Sequence, residues 1–199
     1  PDVGFIFQEP RLLPWLSVAD NVGFDAGRHG GRHPRVRELL AEVGLAAFAD
    51  AWPKQLSGGM AQRAAIARGL FTQPALLLLD EPFSAVDAFT RMRLQDLLLS
   101  VAAHHGTTLL LVTHDIDEAA YLSDRIVVMD SGPGRIAGEV AVPLPRPRDR
   151  RNPALARVEA EVLTLLNGGQ QGYRDIAPDI VAAPPTPTQL NGATLGFAV

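Results

Sequence analysis

Four consecutive leucines, Leu76, Leu77, Leu78 and Leu79, run directly into Asp80 and Glu81. An unbroken apolar run of that length, closed by acids, is expected as a strand buried on both faces, and such strands belong to parallel sheets covered by helices. Residues 108–112 and 126–129 repeat the pattern, and residues 3–7 form a further short apolar run ending at Gln8. Helical spacing lies between them. Phe89, Met92, Leu94, Leu97, Leu98 and Val101 mark one helix, stopped at His104, His105 and Gly106, and residues 115–122 form a second. Strand, helix, strand, helix, strand implies an α/β fold with a parallel sheet core.

The stretch between residues 18 and 55 has a different character. Gly27, Gly30, Gly31 and Pro34 punctuate a loop, and Val36, Leu39, Leu40 and Val43 then recur at helical spacing, which reads as a small helical insertion. Ser57 stands where it can cap a helix over residues 61–71, halted near Pro74. After Pro133 and Gly134, residues 136–142 are expected to form a short edge strand. Pro143, Pro145, Pro147 and Pro153 alternate with Arg146, Arg148, Arg150 and Arg151 in what reads as a solvated basic connector. A last helix over residues 154–166 precedes an aperiodic tail, 167–199, expected to be disordered.

Composition narrows the function classes. Hydrophobic residues make up 47% of the 199, enough for a real core, yet no run approaches the ~18 apolar residues of a membrane span. There is no cysteine, which removes disulfides and thiolate metal sites. A net charge of -4 disfavours a phosphate-backbone partner, so no nucleic acid is expected. His29, His33, His104 and His105 show no coherent ligand spacing with Asp or Glu, and no structural metal is expected.

The chemistry concentrates in a few positions. Asp80 and Glu81 lie where an open α/β sheet presents its ligands, so one carboxylate can reach Mg2+ through water and its neighbour can orient an attacking water. Ser57, Gly58 and Gly59 put a hydroxyl and two unhindered backbone N–H groups at a helix start, a setting that suits a terminal phosphate. His114, just past the apolar run 108–112, can hydrogen-bond that phosphate or the water, or else merely cap the next helix with Asp115. Gln8 follows a strand and carries an amide able to meet Mg2+ or water; Asp87 opens a helix as an N-cap. No G-x-x-x-x-G-K-[ST] loop occurs, and Lys54, the only lysine, has no glycine near it on its N-terminal side. In this fold the phosphate loop follows the first strand, which places it upstream of residue 1 and makes the chain read as N-terminally incomplete.

Together these residues closely resemble the ATP-binding subunits of ABC transporters. Gln8 is similar to the Q-loop glutamine, residues 56–60 (Leu, Ser, Gly, Gly, Met) to the LSGGQ signature, Asp80 to the Walker B aspartate and Glu81 to the catalytic glutamate. Asp87 resembles the D-loop aspartate and His114 the switch histidine. Order and spacing match over residues 1–166. Met60 and Val86 depart from the consensus glutamine and leucine. Residues 7–15 and 132–147 resemble the nitrate, aliphatic-sulfonate and taurine importer branch.

The resemblance implies a P-loop NTPase-like core whose N-terminal part is missing, and a helical signature subdomain at about residues 18–72. It also implies ATP and Mg2+ as cofactors, with hydrolysis by a water that Glu81 orients. Gln8, Glu81 and His114 would be catalytic, Asp80 and Gln8 would serve Mg2+, and Ser57, Gly58, Gly59 and Asp87 would contact nucleotide. Implied partners are a second ATP-binding subunit, transmembrane permease subunits touched by the residues after Gln8 and by the helical insertion, and, indirectly, a solute-binding protein. The implied location is peripheral, on the cytoplasmic face of the bacterial inner membrane. Without the lysine loop, the chain alone is expected to bind ATP weakly and not turn it over. Two further readings stay open: a non-transport ABC ATPase of DNA repair or translation, and a degenerate subunit that offers only its signature face to an intact partner.

Overall fold

The structure, a computed structural model, describes residues 3–131, 134–171 and 194–198. They divide into two compact units, residues 1–110 and 111–199. In the first, strand β1 (Val3–Ile6) pairs in parallel with β2 (Leu76–Asp80), in the register Val3 to Leu76 through Ile6 to Leu79. Strand β3 (Thr108–Thr113) starts in this unit, where the Thr108 N–H donates to the Ala75 carbonyl at 2.9 Å. Alternate leucines of β2 are buried, Leu77 at 0% and Leu79 at 1% exposure, and they join Ile6, Leu70 and Phe83 in the core.

Four α-helices complete the first unit, with the first, second and fourth packed against the third. Helix α1 (Val18–Val22) is only five residues long and is held by Asn21. Its buried amide accepts from the Leu13 N–H at 2.7 Å and donates to the carbonyls of Leu13, Leu16 and Ser17. Four short 3-10 turns and α2 (Pro34–Glu42) complete residues 18–55; α2 buries Val36, Leu39 and Leu40, the apolar face read from its spacing. Helix α3 (Gly58–Leu70) packs on β1 and has Ser57 as its N-cap, the hydroxyl accepting from the Met60 N–H at 3.3 Å. Its far end is closed from α2, because the Arg35 guanidinium donates to the carbonyls of Phe71 and Leu70 at 2.9 and 3.0 Å. Helix α4 (Ala88–His105) follows the acidic end of β2 and stops at Gly106, whose φ of +65° lets the backbone turn left-handed.

In the second unit β4 (Arg125–Ser131) lies between an antiparallel β5 (Gly134–Ala141) and a parallel β6 (Thr194–Ala198). Helix α5 (Ile116–Leu122) and helix α6 (Pro153–Gln171) pack on each other. Among the described residues no helix is long and apolar enough to cross a membrane. The sequence-based tail differs from the structure at both ends. Helix α6 continues five residues past Leu166, and residues 194–198 are a strand hydrogen-bonded alongside β4; residues 172–193 and Val199 lie outside the described residues.

The basic connector requires a correction. Arg148 is not solvated: its side chain is 1% exposed and its guanidinium is caged by carbonyls. It donates to the carbonyls of Tyr121, Ser123 and Val142 at 2.8, 2.7 and 3.2 Å and to the Asp124 carboxylate at 3.0 Å. Arg146 reaches the same carboxylate at 2.9 Å. Five donors in a planar fork match the carbonyls at the end of α5 and in the segments beside it. Burial holds the Arg148 guanidinium below its ordinary pKa, and Arg146 lowers it further against the opposing pull of Asp124.

Candidate functional site

The register of the two parallel strands of the first unit places three of the expected residues together. Ile6 faces Leu79, so the next positions of β1 and β2, leading to Gln8 and Glu81, leave the sheet side by side at its carboxyl edge. Adjacent strands stand ~4.8 Å apart, which is within reach of one small polar ligand. Gln8 and Asp80 are exposed there, and Glu81 is half-buried.

Glu81 is also conformationally unusual, with φ at +42°. A side chain with a Cβ is strained in that left-handed region, and such residues gather where chemistry fixes the backbone. The turn is held from the C-terminal side: the Ser84 N–H and hydroxyl both donate to the Glu81 carbonyl, at 3.3 and 3.1 Å. Phe83, 1% exposed, anchors the same turn in the core.

The loop after Gln8 is secured by Arg68, a residue sequence reasoning did not single out. From α3 it donates to the carbonyls of Arg11 and Pro10, both at 2.8 Å. Desolvation lowers its pKa, opposed by the charge of Asp25. Arg11 itself has φ at +45°, and its guanidinium lies 4.0 Å over the Phe7 ring. Nothing in the sequence distinguishes Arg68 from any other arginine on a helix. Its role depends on where α3 lies against β1.

Ser57, Gly58 and Gly59 form a separate constellation. Arg68 stands at the Gln8 loop, and Ser57 lies three turns back along α3, ~16 Å at 1.5 Å per residue. Ser57 and Gly58 are exposed, whereas Gly59 is buried against the start of α4. A Cβ on Gly59 would come within 2.6 Å of Thr90 Cγ2, while one on Gly58 would meet nothing within 4 Å. The same turn of α4 carries Asp87, whose Oδ1 accepts from the N–H groups of Phe89 and Thr90 at 3.1 and 3.0 Å. Those bonds, led by the one from Thr90, hold the Asp87 carboxyl below the usual carboxylate range. The signature glycines and Asp87 are therefore neighbours through Thr90. Ser57 supplies the cap, and the positive end of a helix 13 residues long remains beside two accessible positions.

His114 belongs to the second unit, exposed, one residue past the end of β3. The capping role open to it is taken by Asp115, whose Oδ1 accepts from the Glu118 N–H at 3.1 Å. The Asp115 N–H in turn donates to Thr113 Oγ1 at 3.1 Å, which fixes the turn that carries His114.

Comparisons with known proteins bear on this arrangement. Residues 1–84 match the family model described as ABC transporter. The aliphatic sulfonates import ATP-binding protein SsuB 1 of Pseudomonas syringae pv. syringae is 66% identical over 166 residues, 83% of this chain and 69% of the relative. SsuB 2 of Pseudomonas syringae pv. tomato is 63% identical over 168 residues, 84% of this chain and 72% of the relative. SsuB 2 of Burkholderia lata is 65% identical, over 82% of this chain and 60% of that protein. Among solved structures, the dimeric ATP-binding cassette MJ0796 with ADP and Pi is 34% identical with a TM-score of 0.58, over 71% of this chain and 63% of that one. The cbiO1 cassette of Clostridium perfringens, part of an ABC transporter complex, is 30% identical with a TM-score of 0.60, over 68% of this chain and 56% of that one. With a strand edge carrying Gln8, Asp80 and Glu81, a glycine-opened helix beside Asp87, and relatives of this identity and coverage, the chain belongs to the ATP-binding subunits of ABC transporters.

Proposed function

We propose that the chain is the ATP-hydrolysing part of an importer of aliphatic sulfonates or similar small sulfonated solutes. The observation that carries the site assignment is the β1–β2 register, which brings Gln8 to the edge holding Asp80 and Glu81. The donors at that edge are all oxygens, two carboxylates and an amide carbonyl, which is the ligand type that Mg2+ prefers. Asp80, exposed at the strand end, and Gln8 would hold the ion, and Glu81 would take up the proton of the attacking water. When bound, ATP would supply the phosphoanhydride bond whose cleavage drives transport, and Mg2+ would neutralise the charge on its phosphate oxygens. No lysine loop occurs in the 199 residues.

The ~16 Å of α3 between Ser57 and the Gln8 loop supports service of two different nucleotides by one subunit. The Ser57, Gly58, Gly59 and Asp87 face would complete the site of a second ATP-binding subunit, as the dimeric form of the MJ0796 cassette suggests. The relatives' import role supports permease subunits as further partners, an indirect link to a solute-binding protein, and a peripheral location at the cytoplasmic membrane face. His114 would report the terminal phosphate from the end of β3.

The test is genetic. In the bacterium that encodes the chain, Glu81→Gln in the chromosomal gene is expected to abolish growth on an alkanesulfonate as sole sulfur source and to leave growth on sulfate unchanged. Loss of a general base typically costs ~100- to 10,000-fold in rate. Unimpaired alkanesulfonate growth of the variant would sink the assignment of Glu81, and growth defects on both sulfur sources would sink the substrate class.

A further inference from the structure

Outside the nucleotide edge, the described residues of the first unit build one cluster of metal-binding side chains. Glu42 is the last residue of α2, and His104 and His105 are the last two of α4. One ligand atom from each lies within 4.8 Å of the others. His105 Nε2 is 2.8 Å from Glu42 Oε2, and the rings of His104 and His105 meet edge to face with centroids 5.0 Å apart. In sequence, 62 residues separate Glu42 from His104, which is why spacing alone assigned these histidines no metal.

We propose that Glu42, His104 and His105 form a binding site for a borderline divalent cation of the Zn2+, Ni2+ or Cu2+ type, one that ties the end of α2 to the end of α4. Three features support a cation there. Two helices end at the cluster, so the negative ends of both macrodipoles lie beside the Glu42 carboxylate. Two imidazoles with one carboxylate select the imidazole-loving divalent ions over Mg2+ or Ca2+, which prefer all-oxygen shells. No thiolate exists in the chain to compete for the ion.

The geometry needs only side-chain adjustment. Tetrahedral coordination with bonds of ~2.1 Å sets ligand atoms ~3.4 Å apart. The present separations, from 2.8 Å up to 4.8 Å, bracket that value. Glu42 and His104 are solvent-accessible and can rotate, while His105, 13% exposed, is the anchored ligand. On binding, the ion takes the place of whatever proton the His105 and Glu42 pair shares, and solvent fills the fourth position. The consequence is a clip: the helical insertion becomes fixed to the helix that follows the acidic edge.

The experiment uses the whole 199-residue chain with Zn2+ and, as a spectroscopic probe, Co2+. Equilibrium dialysis is expected to show one Zn2+ per chain, with Co2+ giving visible d–d bands of a tetrahedral or five-coordinate site. Zn2+ should also raise Tm by mass action. His104→Ala alters an exposed side chain, and Glu42→Gln keeps an acceptor for His105, so both are expected to fold. Each should weaken Zn2+ binding by at least ~10-fold, the loss seen even for outer-shell partners, and should cancel the Tm rise. His29→Ala should change neither. Retention of wild-type Zn2+ affinity by both His104→Ala and Glu42→Gln, equal loss in His29→Ala, or absence of any bound Zn2+ would each overturn the proposal.

Discussion

Two adjacent glycines offer a test in which the propensity contribution cancels. Alanine at either Gly58 or Gly59 gains helix propensity, up to ~1 kcal/mol in a helix interior and less in a first turn. Only at Gly59 does the new methyl collide, 2.6 Å from Thr90 Cγ2 where carbon atoms prefer ~3.5 to 4.0 Å. Thr90 cannot easily give way. Its χ1 is stiff, and its N–H is held by Asp87 at 3.0 Å. Overpacking of this kind costs about 1–3 kcal/mol. The difference in unfolding free energy between Gly59→Ala and Gly58→Ala should therefore be that steric cost, about 1–3 kcal/mol, with Gly58→Ala at or slightly above the parent. Adding Thr90→Ser, which deletes the offending methyl, should recover most of the difference in a double-mutant cycle. Urea unfolding of the purified chains measures all four, with m-values unchanged if the native state keeps its form. Equal stability of the two alanine variants, or no recovery with serine at position 90, would refute the packing of α3 on α4 argued above.

Two further outcomes follow from the hydrogen bonding. Arg148→Met should destabilise the second unit by about 3–5 kcal/mol, since it strands the carbonyls of Tyr121, Ser123 and Val142 in a buried setting, and Arg148→Lys should recover little because an ammonium cannot span the fork; thermal unfolding with lysine matching arginine would count against the cage. Asp87 has a folded pKa below its unfolded value, so its contribution is present above the ordinary Asp range of ~4 and fades as pH falls through the lowered value. Asp87→Asn keeps a capping oxygen and should flatten that acid-side loss in a pH series of unfolding midpoints, while an unchanged pH profile would contradict it.

Much of the fold was legible because its determinants are local. The leucine run 76–79 is a strand as read, though only Leu77 and Leu79 are buried and not both of its faces, and Ser57 and Asp87 cap the helices that follow them, as side-chain oxygens at those positions do. The motif residues were readable for the same reason: each sits at an element's end, where sequence patterns change. What escaped depends on partners distant along the chain. Helix α1 owes its place to the N–H groups of Val18 and Ala19, which donate to the carbonyls of Ala51 and Ala49, and the loop after Gln8 owes its shape to Arg68, 60 residues later. Arg148 looked solvated because charge is the visible property in sequence, whereas two of its cage carbonyls, those of Tyr121 and Ser123, come from more than 20 positions earlier. The strand 194–198 lies in a Gly, Thr and Ala context with no alternation strong enough to announce it, and only its pairing with β4 defines it.

The left-handed backbone at Glu81 sets two kinds of selection against each other at one codon. A non-glycine residue at φ +42° costs about 1–3 kcal/mol, and glycine would recover part of that. A library of this chain screened only for heat resistance should therefore drift toward Glu81→Gly and discard the proposed base as it improves, whereas a library kept under demand for transport should hold the strained glutamate and accumulate its stabilising changes elsewhere.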